Sequence, residues 1–216
     1  MGKTSGKQEK TDFHLKIGIL GSGRGTNFEA IADAIDRGVL KAEMVVVISD
    51  VENALILEKA KQKGIPHFYI PPGKYQTRLD PQAEKKYVTC LKEHGVTWVV
   101  LAGFMRVLKE IFFENYSGKI LNIHPSLLPS FRGLKAWSQA LDYGVKITGC
   151  TVHAVDGGVD TGPIILQEAV RVEDSDNSET LHARIQELEH RLYPQALQLI
   201  AEGKVEFRGR RVVMKR

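Results

Sequence analysis

The chain has 216 residues, 43% of them hydrophobic and 26% charged, with a formal net charge of +4. That is globular composition, at a length that suits one domain with a core needing no disulfide staples. Eight of the 30 bases (Lys3, Lys7, Lys10, Arg208, Arg210, Arg211, Lys215 and Arg216) are terminal; without them and Glu9 the body keeps 22 bases against 25 acids, which argues against a nucleic-acid face.

The cysteines Cys90 and Cys150 lie far apart without CxxC spacing. Neither a disulfide framework nor a zinc cage is expected, and free thiols fit a reducing cytoplasm. The longest apolar runs are far too short to cross a membrane. The polar start MGKTSGKQEKTDF has no secretory h-region. Residues 1–13 read as a flexible extension, and 14–216 as a single domain.

Lys16–Leu20 reads as a short buried strand. A glycine turn leads into a helix over Asn27–Arg37, where Phe28, Ile31, Ala32 and Ile35 recur at helical spacing. Met44–Ser49 is β-branched and extended. Ala54–Lys63 is a helix closed by Gly64. His67–Ile70 is a third strand, and Pro81–His94 a helix closed by Gly95. Trp98–Ala102 and Ile120–His124 are strands four and five. Pro125–Gly133 is a loop and Lys135–Tyr143 a helix. Thr148–Val155 and Pro163–Val172 look like an antiparallel pair around the turn Asp156–Gly162. Ser178–Ala201 is a long helix that Pro194 should kink or divide. A short basic hairpin around Gly209 follows. Strand–helix alternation of this kind predicts an α/β, Rossmann-like three-layer fold: a mostly parallel sheet covered on both faces, with an antiparallel C-terminal edge.

The loop Gly21-Ser22-Gly23-Arg24-Gly25-Thr26-Asn27 joins a strand to a helix N-terminus. Glycines permit a sharp turn, and the helix offers free N–H groups to a phosphate. Thr26 stands where the dinucleotide fingerprint needs its last glycine, and no Gly-Lys-Ser/Thr follows for a Walker loop. Thr26 and Asn27 add donors that suit a small phosphomonoester. Asp50, ending the second strand, sits where a ribose-binding acid would fall, so a nicotinamide dehydrogenase stays an alternative. A tight turn without a ligand is another.

Asn122 and His124 lie two apart on the fifth strand and so face one side, at the end where ligands of open α/β sheets collect. When an amine attacks a carbonyl, the oxygen gains negative charge. A carboxamide can donate to that oxygen, and a protonated imidazole can stabilise it or deliver a proton. A nearby carboxylate would raise the histidine's pKa. Asp160, on the glycine-rich turn, is the candidate; Asp156 shares that turn and is the alternative. His153 reads as packed, with a site-facing place on its strand as the alternative, and His182 and His190 read as solvated helix residues. No Gly-x-Ser-x-Gly elbow accompanies Ser126, and no cluster has metal-ligand spacing.

The loop GSGRGTN, the stretch LAGFMRVL, the block NIHPSLLPSFRGL and the run TVHAVDGGVDTGPIILQ resemble, in this order, the glycinamide ribonucleotide formyltransferases over roughly residues 15–207. The resemblance implies the formyltransferase fold and transfer of formyl from 10-formyltetrahydrofolate to the amine of 5′-phosphoribosylglycinamide, the third step of de novo purine synthesis, without metal. It implies Asn122, His124 and Asp160 as catalytic residues. Gly25, Thr26 and Asn27 would hold the phosphate, and Glu189 the ribonucleotide, unless Glu189 is a solvated helix charge. Met105, Arg106, Val107 and Leu108 would border the folate, with Asn122, Val155 and Asp156 closing on its ring and Arg78 contacting it. Met105 and Leu108 read equally well as core. Some relatives carry histidines where this chain has Lys135, Ala136 and Trp137. A formyltetrahydrofolate deformylase, which uses the same residues with water as acceptor, usually carries an N-terminal regulatory domain. A methionyl-tRNA formyltransferase carries a C-terminal one. Neither is expected here. The partners expected are small molecules, not nucleic acid or membrane, with a homodimer left open.

Overall fold

The computed structural model describes residues 15–215; the flexible extension expected over 1–13 lies outside them. Five strands run parallel: β1 (Leu15–Leu20), β2 (Ala42–Ser49), β3 (His67–Tyr69), β4 (Trp98–Leu101) and β5 (Ile120–His124). β6 (Ile147–Ala154) and β7 (Ile164–Arg171) extend the sheet antiparallel, giving the order β3-β2-β1-β4-β5-β6-β7. β8 (Val205–Arg208) and β9 (Arg211–Met214) form a separate hairpin that turns at Gly209.

Alternate side chains of each strand feed two cores. Ile17, Ile19, Val47, Trp98 and Val100 pack under α1 (Thr26–Asp36), α2 (Leu55–Gln62) and α6 (Ser178–Ala201). Leu20, Val46, Ile48, Val99 and Leu101 pack under α3 (Pro81–Glu93) and α4 (Glu110–Tyr116). The three-layer fold is therefore the one expected, and its period-2 strands with apolar residues on both faces are what made it legible. At Gly18 a Cβ would lie 2.5 Å from Leu91 Cδ2, so glycine lets α3 sit close to β1.

Two expectations need correction. The sequence signal missed α4: three consecutive apolar residues, Ile111, Phe112 and Phe113, blur a helical period over only seven residues. A buried carboxylate helps fix its start, since Glu84 Oε1 accepts from Lys109 N. And Pro194 does not divide α6. Leu181, Ile185 and Leu192 before it and Leu197 and Ile200 after it anchor in the same core, which holds the helix as one element. A capping box at Asn177 and Thr180 starts that helix. The short α5 (Ala136–Tyr143) begins after Lys135.

Candidate active site

β5 delivers Asn122 and His124 to the C-terminal edge of the sheet, and antiparallel β6 sets His153 opposite Asn122. The turn after β6 brings in Asp160 with φ 51°. Asp160 Oδ2 lies 3.3 Å from His124 Nδ1 and accepts from Gly133 N at 2.9 Å. Asp160 Oδ1 lies 3.5 Å from Asn122 Nδ2 and 3.7 Å from His153 Nε2. The carboxamide, imidazole and acid thus meet as expected. Asp156 does not compete for His124: its Oδ1 accepts from Gly158 N and Thr161 Oγ1, bracing the turn. Ser126 Oγ is also engaged, donating to Ser130 O.

The surroundings of His124 set its chemistry. Its ring is 4% exposed, and Nε2 lies 2.8 Å from Phe131 O. With Asp160 at Nδ1, both ring nitrogens face acceptors, an arrangement that satisfies the protonated ring. Burial nevertheless pushes the His124 pKa below its ordinary value, against the pull of Asp160 and the Phe131 carbonyl, while His153 adds to the drop. The net rise expected from the carboxylate is therefore not found; desolvation outweighs it. The consequence is a ring that gives up its proton readily. Asp160 itself is held below the ordinary carboxylate range: burial opposes ionisation, but His153, His124 and the Gly133 N–H together outweigh it.

His153 takes the site-facing place that sequence reasoning ranked second. It is buried, as expected, but its Nε2 lies 3.2 Å from Asn122 Nδ2 and its Nδ1 2.9 Å from Ala154 O. Held between that carbonyl and the Asn122 amide, the ring fixes where the amide lies. His153→Ala is expected to lower kcat by up to ~10²-fold through misplacement of Asn122, with KM little changed. Steady-state kinetics retaining a kcat within twofold of the parent would remove His153 from the site.

Strain gathers here. Phe131 (φ 55°), Lys135 (φ 53°) and Asp160 (φ 51°) are the non-glycine residues with positive φ among those described. Phe131 holds His124, Asp160 faces it, and Lys135 lines the adjoining cavity.

That cavity, of about 440 Å³, has mostly apolar walls from Leu101, Phe104, Met105, Val107, Leu108 and Val155, with Arg106 and Asp156 beside them. Its polar end is Asn122, His124, His153 and Asp160. Met105 is 55% exposed, so it is not core, whereas Leu108 is buried and serves as wall and core alike. Arg78 bridges to Val107 along the backbone, and its guanidinium lies 4.2 Å from the Tyr75 ring centroid, outside the lining. Lys135 and Trp137 line the cavity, whereas Ala136 is wholly buried. Trp137 stacks on His182 at 3.7 Å and donates from Nε1 to Ser178 Oγ at 2.9 Å, so His182 is not a solvated helix residue.

The glycine loop abuts this cavity through Ser22 N, which donates to Gly103 O at 3.1 Å. Gly25 caps α1 with φ 72°, and a Cβ there would lie 2.9 Å from Ile56 Cβ. No side chain caps α1, which leaves the first-turn N–H groups at Thr26 and Asn27 free for an anion. Asn27 Nδ2 donates to Glu189 Oε2 at 2.9 Å, while Asn27 Oδ1 and His190 Nε2 lie buried without a partner in the protein. Glu189 and His190 are thus not solvated helix residues.

Burial pushes the Glu189 carboxyl up to about 7, with the Asn27 N–H pulling the other way. A carboxyl whose pKa rises on folding lends stability that is fully present below its unfolded pKa and fades as pH climbs to about 7. Glu189→Gln is therefore expected to raise the Tm of the ligand-free protein at pH 8, the gain reaching ~3 kcal/mol at most and shrinking toward pH 5. Thermal unfolding with an equal shift at both pH values would contradict this.

Among the described residues, no cluster of three or more His, Cys, Asp or Glu is arranged to hold a metal ion, and no helix is long and apolar enough to cross a membrane.

Residues 15–197 match the formyl transferase family model. A phosphoribosylglycinamide formyltransferase of Bacillus subtilis is 40% identical over 84% of this chain and 92% of its own. The trifunctional purine biosynthetic protein adenosine-3 of Gallus gallus is 46% identical over 89% of this chain but 19% of its own, so the chain spans about a fifth of that relative's length. The crystal structure of glycinamide ribonucleotide transformylase 1 from Symbiobacterium toebii superposes with TM-score 0.90 at 43% identity, covering 98% of this chain and 99% of that one. A formyltetrahydrofolate deformylase from Pseudomonas syringae is more distant, at 26% identity, TM-score 0.84 and 66% of that chain. With the sheet order, the Asn122–His124–Asp160 arrangement and these likenesses in agreement, the chain belongs to the formyl transferase family.

Proposed function

We propose that this protein moves the formyl group of 10-formyltetrahydrofolate to the primary amine of 5′-phosphoribosylglycinamide, the third step of de novo purine synthesis, in the cytoplasm, acting on small molecules rather than on nucleic acid or a membrane. The observation that carries it is the polar end of the cavity: His124 Nδ1 lies 3.3 Å from Asp160, beside the Asn122 amide. Apolar walls adjoin that point, and the glycine loop is tied to their Gly103–Met105 stretch. A flat, partly apolar folate ring fits the segment 104–108 and the turn 155–160, with its formyl carbon at the polar end. A phosphomonoester fits the α1 N-terminus, and Glu189 with Asn27 suits the sugar hydroxyls.

The new C–N bond forms as the amine attacks the formyl carbon, and the bond from that carbon to N10 of the folate breaks. Asn122 Nδ2 donates to the carbonyl oxygen as it gains charge. One proton leaves the amine and one reaches N10, and His124 Nδ1 is placed to hold the proton in passage, with the Asp160 anion opposite. The apolar walls strengthen both interactions by excluding water.

The test is purified protein with 10-formyltetrahydrofolate, with and without phosphoribosylglycinamide. Formyl loss only when the amine is present supports transfer; equal loss in its absence assigns a hydrolase. The dehydrogenase alternative loses its ground, because Asp50 is engaged by Ser22 and Arg106 rather than free for a ribose.

A further inference from the structure

Asp50 is the feature of the sequence that this function leaves unexplained. It follows β2, and its side chain is 1% exposed. Oδ1 accepts from Ser22 Oγ at 2.5 Å, and Oδ2 accepts from Arg106 Nε at 2.7 Å. A buried carboxylate needs a partner for its charge and donors for its lone pairs, and these two supply both.

The partners make the arrangement more than a local ion pair. Ser22 belongs to the glycine loop. Its hydroxyl donates to Asp50 and accepts from Met105 N at 2.9 Å, so it has no further proton to offer a ligand. Arg106 belongs to the cavity wall. Its Nη1 donates to Tyr75 O at 3.1 Å and to Gln76 O. Val107 N then donates to Thr77 O at 2.9 Å. One carboxylate thus gathers three chain segments that are far apart in sequence: the loop at 21–25, the wall at 103–108 and the strap at 75–78.

We infer that Asp50 is a positioning residue that couples the phosphate-binding loop to the folate-binding wall, so that filling either place tightens the other. This rests on the function proposed above. Ordering the loop around a phosphate fixes Ser22. Ser22 and Asp50 in turn fix Met105 N and the Arg106 guanidinium, which set the backbone along one side of the cavity. Linkage makes the effect reciprocal: the factor by which the nucleotide tightens folate binding equals the factor by which folate tightens the nucleotide.

Asp50→Asn tests this while keeping the shape. The amide can still accept from Arg106, but it loses the charge, and its NH2 then faces a Ser22 hydroxyl that has lost its acceptor. The experiment measures kcat and KM for both substrates in the parent and in Asp50→Asn. It also measures tetrahydrofolate affinity by calorimetry with and without phosphoribosylglycinamide. In the parent, the nucleotide is expected to tighten tetrahydrofolate about fivefold or more. In Asp50→Asn that enhancement is lost, the KM for 10-formyltetrahydrofolate rises about fivefold or more, and kcat at saturation stays within about twofold. Asp50→Glu restores part of the enhancement. An Asp50→Asn protein with unchanged KM values and undiminished enhancement overturns the inference. So does one whose Tm and kcat fall while KM holds, since that is a purely structural role. A parent that transfers no formyl group overturns the functional reading instead, which keeps the two failures apart.

Discussion

Replacing Asn122 or His124 with alanine is expected to lower the kcat for formyl transfer by about 10²–10⁴-fold while phosphoribosylglycinamide still binds. The range follows from what each side chain does. Removing one donor aimed at a developing oxyanion costs about 10²–10³-fold, and removing a positioned acid or base costs about 10²–10⁴-fold. Phosphate binding survives because its groups, at the α1 N-terminus, are not lost with either side chain. The double variant is expected to fall little below the weaker single one, since residues serving one step act as a unit. His124 also pairs with the Phe131 carbonyl, so His124→Ala leaves that acceptor with only the 3.5 Å contact from Ser126 Oγ and is expected to cost ~1 kcal/mol of stability. Rates are therefore compared below the melting transition of each variant, with bound nucleotide measured by calorimetry. Normal turnover in both variants would remove the mechanism.

The architecture was readable because it is written in local patterns. Strand–helix alternation, Gly64 and Gly95 closing helices with positive φ, and the β-branched run at Met44–Ser49 are all properties of short windows. The meeting of the three residues proposed as catalytic was readable for a similar reason: Asn122 and His124 share a strand, and Asp160 sits on a turn whose glycines advertise a bend. What escaped, or ranked second, depends on register and burial. His153 joins the site only because β6 pairs antiparallel with β5 and puts residue 153 opposite 122, which no single-sequence pattern encodes. Asp50 falls where a ribose acid would, but its partners at 22 and 106 come from two other loops. His182 and His190 look solvated on a helical wheel; contacts with Trp137 and the packing against α1 decide otherwise. The direction of the His124 shift was misjudged for a physical reason: a neighbouring carboxylate is visible in sequence, whereas the desolvation that outweighs it is visible only after packing.

That balance makes Asp160→Asn the most discriminating pH experiment. The Asp160 carboxylate is a raising influence on a His124 pKa already depressed by burial. Asparagine keeps the size and tolerates the positive φ of residue 160 better than most residues, so the turn should hold. It removes the charge, leaving burial less opposed. The His124 pKa then falls further, and the protonated ring is scarcer at every pH above it. The limb of the kcat/KM profile on which activity falls as His124 loses its proton is expected to move to lower pH. The loss in rate should therefore be smallest at the acidic end of the range and grow as pH rises. The stability loss runs in the same pH direction, but through the titration of Asp160 itself rather than of His124. A carboxylate whose pKa is depressed by folding lends stability above its unfolded pKa that is lost as pH falls through the folded one. Asp160→Asn is accordingly expected to lower Tm at pH 7 and to lose that deficit in acid. Measuring both profiles separates a charge effect from a merely displaced turn: a turn displaced without a charge effect would depress rate and Tm by the same factor at every pH.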